Sequence, residues 1–249
     1  MNSSRIRTAF KAFSIHFGTS LAVAALIAAL VFLVWYPYPF RELAGGKDLF
    51  ILVIAVDIIC GPLLTAILFS PHKPKKELLT DLSLVVLIQL AALAYGVWNV
   101  WLARPIYLVN ESNRFHVVSR VGIDTDGLQK LPAEMQPRLF SGPLKVTMRD
   151  VLPQEQASID MTLKLGNHTG KAQLPELYLP YDGAKAFQNS SSISTILKLM
   201  PQKRSEMEAI AKEAGVDLQN LHFTYVLAQE AWFGVLNDKG EIIGFANSK

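Results

Sequence analysis

The chain has 249 residues, 51% of them hydrophobic and 18% charged, a formal net charge of +3 and a mean hydropathy of +0.27. One cysteine excludes an internal disulfide and any multi-cysteine metal site. Residues 1–102 hold 8 Lys+Arg against 5 Asp+Glu, whereas residues 103–249 hold 16 of each, so the net charge belongs to the N-terminal part and the rest gives no basis for nucleic-acid binding.

The hydrophobic excess is concentrated. No Asp, Glu, Lys or Arg occurs between Lys11 and Arg41 or between Asp81 and Arg104, and only Asp57 occurs between Asp48 and Lys73. Each interval exceeds the roughly 20 residues that cross a bilayer. After a basic lead with Arg5, Arg7 and Lys11, the first span is predicted at about 17–36. It ends in Trp35-Tyr36-Pro37, an interfacial anchor followed by a helix stop, and lacks a signal-peptide cleavage site. Gly45-Gly46 breaks the first loop. A second span is predicted at about 49–69. The loop of residues 70–76 is basic and proline-broken, and a third span follows at about 82–102, with Asp81 or Thr80 as its N-cap.

Basic residues cluster in the N-terminal lead and in the second loop, which two intervening spans place on one side. The positive-inside rule makes that side cytoplasmic. Three spans then carry residues 103–249 outside, which for a bacterial chain means the periplasm. The expected fold is a membrane protein: a bundle of three transmembrane α-helices (1–102), then an α+β periplasmic domain with a mainly antiparallel sheet (103–249). In that domain strands are expected at 105–110, 114–120 and 144–148, then at 223–227, 231–236 and 241–246. Helices are expected at 184–188, 193–200 and 203–214; residues 153–165 alternate like a strand at Ile159, Met161, Leu163 and Leu165 but suit a helix at Ala157, Met161 and Leu165, and Pro153 as a first turn with Gly166 as a stop favours the helix. The 203–214 helix has Met207, Ile210, Ala211 and Ala214 on its apolar face and Gly215 as its stop.

The candidate site is in the second span. Asp57 is an acid in an apolar run, and such a residue is a functional hypothesis by default. Gly61-Pro62 follows as a packing notch or kink. By depth, Asp57 falls near Gln89 and Tyr95 of the third span, its expected hydrogen-bond partners. Asp81 is excluded as a catalytic partner. Twelve residues separate Asp57 from the cytoplasmic end of its span, roughly 18 Å at 1.5 Å per residue, while Asp81 sits at that end. His16 is expected at the membrane edge and Cys60 as a small buried residue. Asp57, Gly61, Pro62, Gln89 and Tyr95 are therefore the packing or partner-binding candidates. Mid-span titration of Asp57, in a sensor or proton-coupled protein, is the alternative.

In the second part, His116, His168 and His222 are scattered, and no HExxH, CxxC, GxSxG or phosphate loop occurs. Asn167-His168-Thr169 matches a weak glycosylation pattern. Tyr178, Tyr181, Trp232 and Phe233 read as core or sheet-face aromatics. A binding domain, without cofactor or metal, is expected rather than an enzyme.

One ordered set of residues resembles a family. It comprises Lys11, His16 and Ser20; Trp35-Tyr36-Pro37; Val56-Asp57 followed by Gly61-Pro62-Leu63-Leu64-Thr65; Asp81-Leu82; Gln89-Leu90 through Tyr95-Gly96; Ala103-Arg104-Pro105-Ile106-Tyr107; and Arg114-Phe115-His116-Val117-Val118. It resembles the type IV pilin accessory proteins, the TfpX/TfpZ family, densely over about residues 10–120. Farther on, Pro175, Tyr178 and Pro180-Tyr181 continue the match. The resemblance implies an inner-membrane accessory protein or chaperone for a type IV pilin, with the pilin, the lipid bilayer and other pilus assembly proteins as partners.

Overall fold

The computed structural model describes residues 3–69, 73–166 and 168–248. Residues 70–72 of the predicted basic loop and Asn167 of the acceptor pattern lie outside the described residues. The chain divides into two compact units, residues 1–41 with 45–103, and residues 42–44 with 104–249.

In the first unit, α1 (Ser3–Leu30) closes in a π-helical turn, Val31–Trp35; a short α2 (Phe40–Leu43) follows, its residues divided between the two units. Next come α3 (Gly46–Leu68) and α4 (Lys75–Ala103). The stretches 7–35, 46–68 and 75–103 are long and apolar enough to cross a membrane. The helices start earlier than expected. The basic lead from Ser3 is helical, and α4 begins six residues before Asp81, which is therefore no N-cap. Instead, Asp81 Oδ2 accepts from Lys73 Nζ at 2.6 Å. Helix α3 runs through Pro62 without a break, because neighbouring helices supply enough packing to hold one missing backbone bond.

Contacts fix the helix directions. His16 of α1 meets Thr65 of α3, and Phe32 meets Phe50 edge-on at 4.9 Å, so α1 and α3 are antiparallel. Ser20 bonds to Gln89, and Tyr36 Oη donates to the Val100 carbonyl at 2.9 Å, so α1 and α4 are parallel. The surface of this unit is inverted relative to a water-soluble bundle. Leu26, Leu33, Leu52, Ile67 and Leu87 are exposed, whereas Ser20, Asp57 and Thr65 are buried.

The second unit is built on one eight-stranded sheet. Strands β1 (Pro105–Glu111) and β2 (Arg114–Ser119) form an antiparallel hairpin, with Ser112 at positive φ in its turn. After α5 (Thr125–Lys130), β3 (Leu144–Met148) adds to β1 in parallel. Then come α6 (Gln156–Leu165), the short β4 (Tyr178–Pro180), α7 (Gly183–Gln188), β5 (Ser191–Ser192), α8 (Ile193–Leu199) and α9 (Arg204–Ala214). The chain finishes in the antiparallel β6 (His222–Leu227), β7 (Ala231–Leu236) and β8 (Ile242–Asn247). The order is β4-β3-β1-β2-β6-β7-β8, with β5 beside β6.

The sheet is mainly antiparallel, as expected, and the first hairpin and last strands share it. They join through a parallel β2–β6 pairing at residues 114–116 and 225–227. Two apolar clusters line it. One gathers Tyr107, Val109, Val146, Leu174 and Leu177 with α5 and α6. The other gathers Ile196, Met207, Phe223, Phe233 and Val235 with α8 and α9. Tyr178, Trp232 and Phe233 are core residues and Tyr181 is half-buried. Gly215 stops α9 at φ 67°, but Ala214 is exposed rather than on the packed face.

Candidate functional site

The buried polar groups of the helical unit form one ladder. On α1, His16 and Ser20 are one turn apart; on α3, Asp57, Gly61 and Thr65 repeat every fourth residue and so share a face. His16 Nδ1 and Thr65 Oγ1 are hydrogen-bonded at 2.6 Å. Gln89 Nε2 of α4 donates to Ser20 Oγ at 3.1 Å and to the backbone carbonyl of Asp57 at 3.0 Å. One side chain thus ties all three helices together.

The notch at Gly61 is occupied by that same side chain. A Cβ on Gly61 would overlap the Gln89 amide, and a Cβ on Gly96 would overlap Val53. Two glycines, one on α3 and one on α4, therefore let these helices approach closely. Pro62 is buried beside Gly61.

Asp57 is 8% exposed, and its Oδ1 has no hydrogen-bond partner among the described residues; neither has Gln89 Oε1. Gln89 reaches the Asp57 main chain, not the carboxylate that depth matching led us to expect. Tyr95 does not fill that role either: it is 71% exposed, and its carbonyl accepts from Asn99 Nδ2. Tyr95 instead lines a cleft of about 690 Å³ along α3 and α4, with Cys60, Leu64, Ile88 and Gln89. Asp57 contributes to this cleft and to a smaller one of about 270 Å³ lined by His16, Ser20 and Gln89. Cys60 is exposed, not buried as its size suggested, because it lies off the Asp57–Gly61–Thr65 face.

His16, Ser20 and Thr65 were not singled out from sequence as site residues. Their signal was available: polar residues four apart inside uncharged runs put one polar stripe on each helix.

In the sheet unit, Ser190 Oγ lies 2.9 Å from His222 Nδ1, a pairing that could suggest a nucleophile and base. The hydroxyl is committed elsewhere, since Ser190 Oγ donates to the Phe187 carbonyl at 2.6 Å. The Phe187 ring covers the imidazole at 4.2 Å, and burial holds the His222 pKa below its ordinary value. This is the arrangement of a packed neutral histidine. His116 pairs instead with Glu111 at 2.7 Å, and that hydrogen bond lowers the Glu111 pKa. His168 Nδ1 lies 2.6 Å from the Gly122 carbonyl. Among the described residues no three His, Cys, Asp or Glu side chains converge as a metal site.

The chain is 34% identical over 242 residues to the protein named fimbrial assembly protein, serogroup I, of Dichelobacter nodosus, covering 95% of this chain and 94% of that one. It is 31% identical over 247 residues to the serogroup E1 protein of the same organism, again over 95% and 94%. The protein of serogroups C1 and C2 is 46% identical over 128 residues, which is 51% of this chain and 98% of that protein. A family model described as fimbrial assembly protein FimB matches residues 4–45. No solved structure matches the chain.

Proposed function

The chain belongs to the family of fimbrial assembly proteins, and from that premise we propose that it acts in fimbrial biogenesis as a membrane-embedded accessory protein or chaperone for a type IV pilin. The observation that carries this reading is the identity with a fimbrial assembly protein along almost the whole chain. In this reading α1, α3 and α4 span the bacterial inner membrane, with the N-terminus cytoplasmic and the sheet domain in the periplasm. Their exposed apolar surfaces and the basic residues flanking them support that placement.

The α3–α4 cleft is the proposed seat for a membrane helix of the fimbrial subunit. It is apolar along its length, it carries an acceptor in Asp57, and it closes on a glycine notch. A buried carboxylate oxygen without a donor favours an incoming helix that brings one. The protein then works by holding a partner, not by chemistry of its own.

A photocrosslinking residue at position 60, introduced in cells producing the fimbrial subunit, is expected to capture that subunit. Asp57→Asn is expected to reduce surface fimbriae while the accessory protein stays at its normal level. No captured subunit, together with normal fimbriation in a deletion strain, would sink the reading. The same oxygen favours a second reading, in which Asp57 titrates in a sensor or proton-coupled protein. That reading requires the effect of Asp57→Asn to vary with external pH, and a pH-independent effect removes it.

A further inference from the structure

The Gln89 carboxamide has one orientation. Both hydrogens of Nε2 are spent, on Ser20 Oγ at 3.1 Å and on the Asp57 carbonyl at 3.0 Å. A carbonyl can only accept, so the nitrogen must face it and Oε1 must face away. Oε1 turns into the Gly61 notch, where it is the atom nearest to the position of a Gly61 Cβ. There it is buried and accepts from no described residue, and the same holds for Asp57 Oδ1, one turn back on α3. Buried acceptors are ordinarily paired. Two unmet acceptors within one turn of helix therefore make a site that calls for hydrogens.

No group lining the α3–α4 cleft supplies them. The lining runs from Leu52 to Leu68 on α3 and from Asp81 to Asn99 on α4, without a lysine or arginine. Asp81 is itself an acceptor, held by Lys73, and the Asn99 amide is spent on the Tyr95 carbonyl of its own helix. At 1.5 Å per residue the α4 wall is roughly 27 Å long, and Gln89 stands roughly 12 Å from its Asp81 end. The unmet pair thus lies near the middle of any helix that fills the cleft.

We propose that the helix seated in this cleft carries, near its middle, one side chain with at least two N–H hydrogens: a carboxamide, an ammonium or a guanidinium. That single group bridges Asp57 Oδ1 and Gln89 Oε1. The number of hydrogens decides the class. A serine or threonine hydroxyl has only one, and in a helix it is commonly given to the carbonyl one turn back. An apolar residue leaves both acceptors unmet, which is costly where no water reaches. A cationic donor also offsets the charge of the carboxylate. The inference rests on the partner-helix reading above and narrows it to a partner of this chemistry.

The test keeps the protein unchanged and varies the probe. The full chain is placed in vesicles of phosphatidylethanolamine and phosphatidylglycerol with synthetic leucine–alanine helices of about 20 residues. Each helix carries Asn, Lys, Ser or Leu at its centre and a cysteine one turn away. Oxidation with copper phenanthroline traps a seated helix on native Cys60, which is exposed and lines the cleft. Peptide–peptide disulfides, read on the same gel, correct for self-association. The Asn and Lys helices are expected to be trapped several-fold more than the Ser and Leu helices. In Gln89→Leu that preference should disappear, and an undiminished preference overturns the bridge. Trapping of the Ser helix as strong as that of the Asn and Lys helices overturns the two-hydrogen requirement in the native protein. Equal trapping of all four, Leu included, also overturns it but leaves the cleft as a helix seat. No trapping of any helix overturns the seat reading itself.

Discussion

The two units bury opposite things. In the sheet unit the interior is apolar: Phe115, Leu174, Leu177 and Val235 are fully buried, and buried phenols such as Tyr107 donate to carbonyls, here that of Met135. In the helical unit most leucines face outward, and beside apolar residues such as Trp35, Tyr36, Val85 and Val100 the interior holds Ser20, Asp57, Thr65, Gly61 and Gly96. Water drives the first arrangement. On the membrane-spanning reading proposed above it does not drive the second, because apolar side chains gain little by leaving lipid and helices associate there through close packing and polar contacts. One consequence is that the same kind of substitution should act differently in the two places.

The largest effect is expected in the sheet unit. Phe115→Ala empties a site at the β1–β2–β6 junction and should cost about 3–5 kcal/mol, as large-to-small core changes do. Faster amide hydrogen exchange across β1, β2 and β6, with little change in α1, α3 and α4, is the readout. Equal acceleration in both units would break the comparison. The helical unit should respond instead to added bulk. Gly61→Leu overlaps the Gln89 amide and should cost about 1–3 kcal/mol, the usual range for overpacking. Gly18→Leu, where a Cβ meets nothing within 4 Å, should leave the detergent-solubilised melting temperature unchanged. Similar melting shifts for both variants would show that the notch is not a packing contact.

The smallest effect is on pH. Burial lowers the folded-state pKa of His222, so the unfolded chain binds its proton first. Stability from this group is full above its unfolded value near 6.5 and is lost as pH falls through that value toward the lower folded one. Thermal melts of the sheet unit, followed at the strands, should therefore weaken on the acid side. His222→Phe should flatten that limb, and an unchanged limb would assign it to other groups.

Much of this was legible in the sequence because the relevant patterns are local. Three apolar runs, two of them uncharged and one holding only Asp57, gave three helices, and short apolar and alternating stretches gave β1, β2, β6, β7 and β8. The resemblance carried by about residues 10–120 agrees with the matched fimbrial assembly relatives. Depth matching placed Gln89 beside Asp57 correctly but misjudged the contact, because helix rotation decides whether a side chain or a carbonyl is reached. Rotation also put Tyr95 and Cys60 on the cleft surface. The start of α4 was missed because charged Lys75, Lys76 and Glu77 continue a helix well past its apolar part. Helix α5 was hidden by Gly127, whose N–H is needed by the Asp124 carboxylate that caps it at 2.7 Å. The parallel pairings β1–β3 and β2–β6 join distant segments, and no local pattern announces them.

The four-residue spacing of the ladder has a consequence for how the helices can move. A lipid-facing bundle held only by leucines could slide one helix past another by a turn, about 5.4 Å, at little cost. Here a one-turn slip of α1 against α3 would carry His16 from Thr65 toward Gly61, which offers no side chain, and would draw Ser20 away from Gln89. Intermediate positions satisfy neither bond. The ladder therefore works as a key that admits one register, so the height of the Asp57 carboxylate relative to α1 and α4 is set by the protein itself.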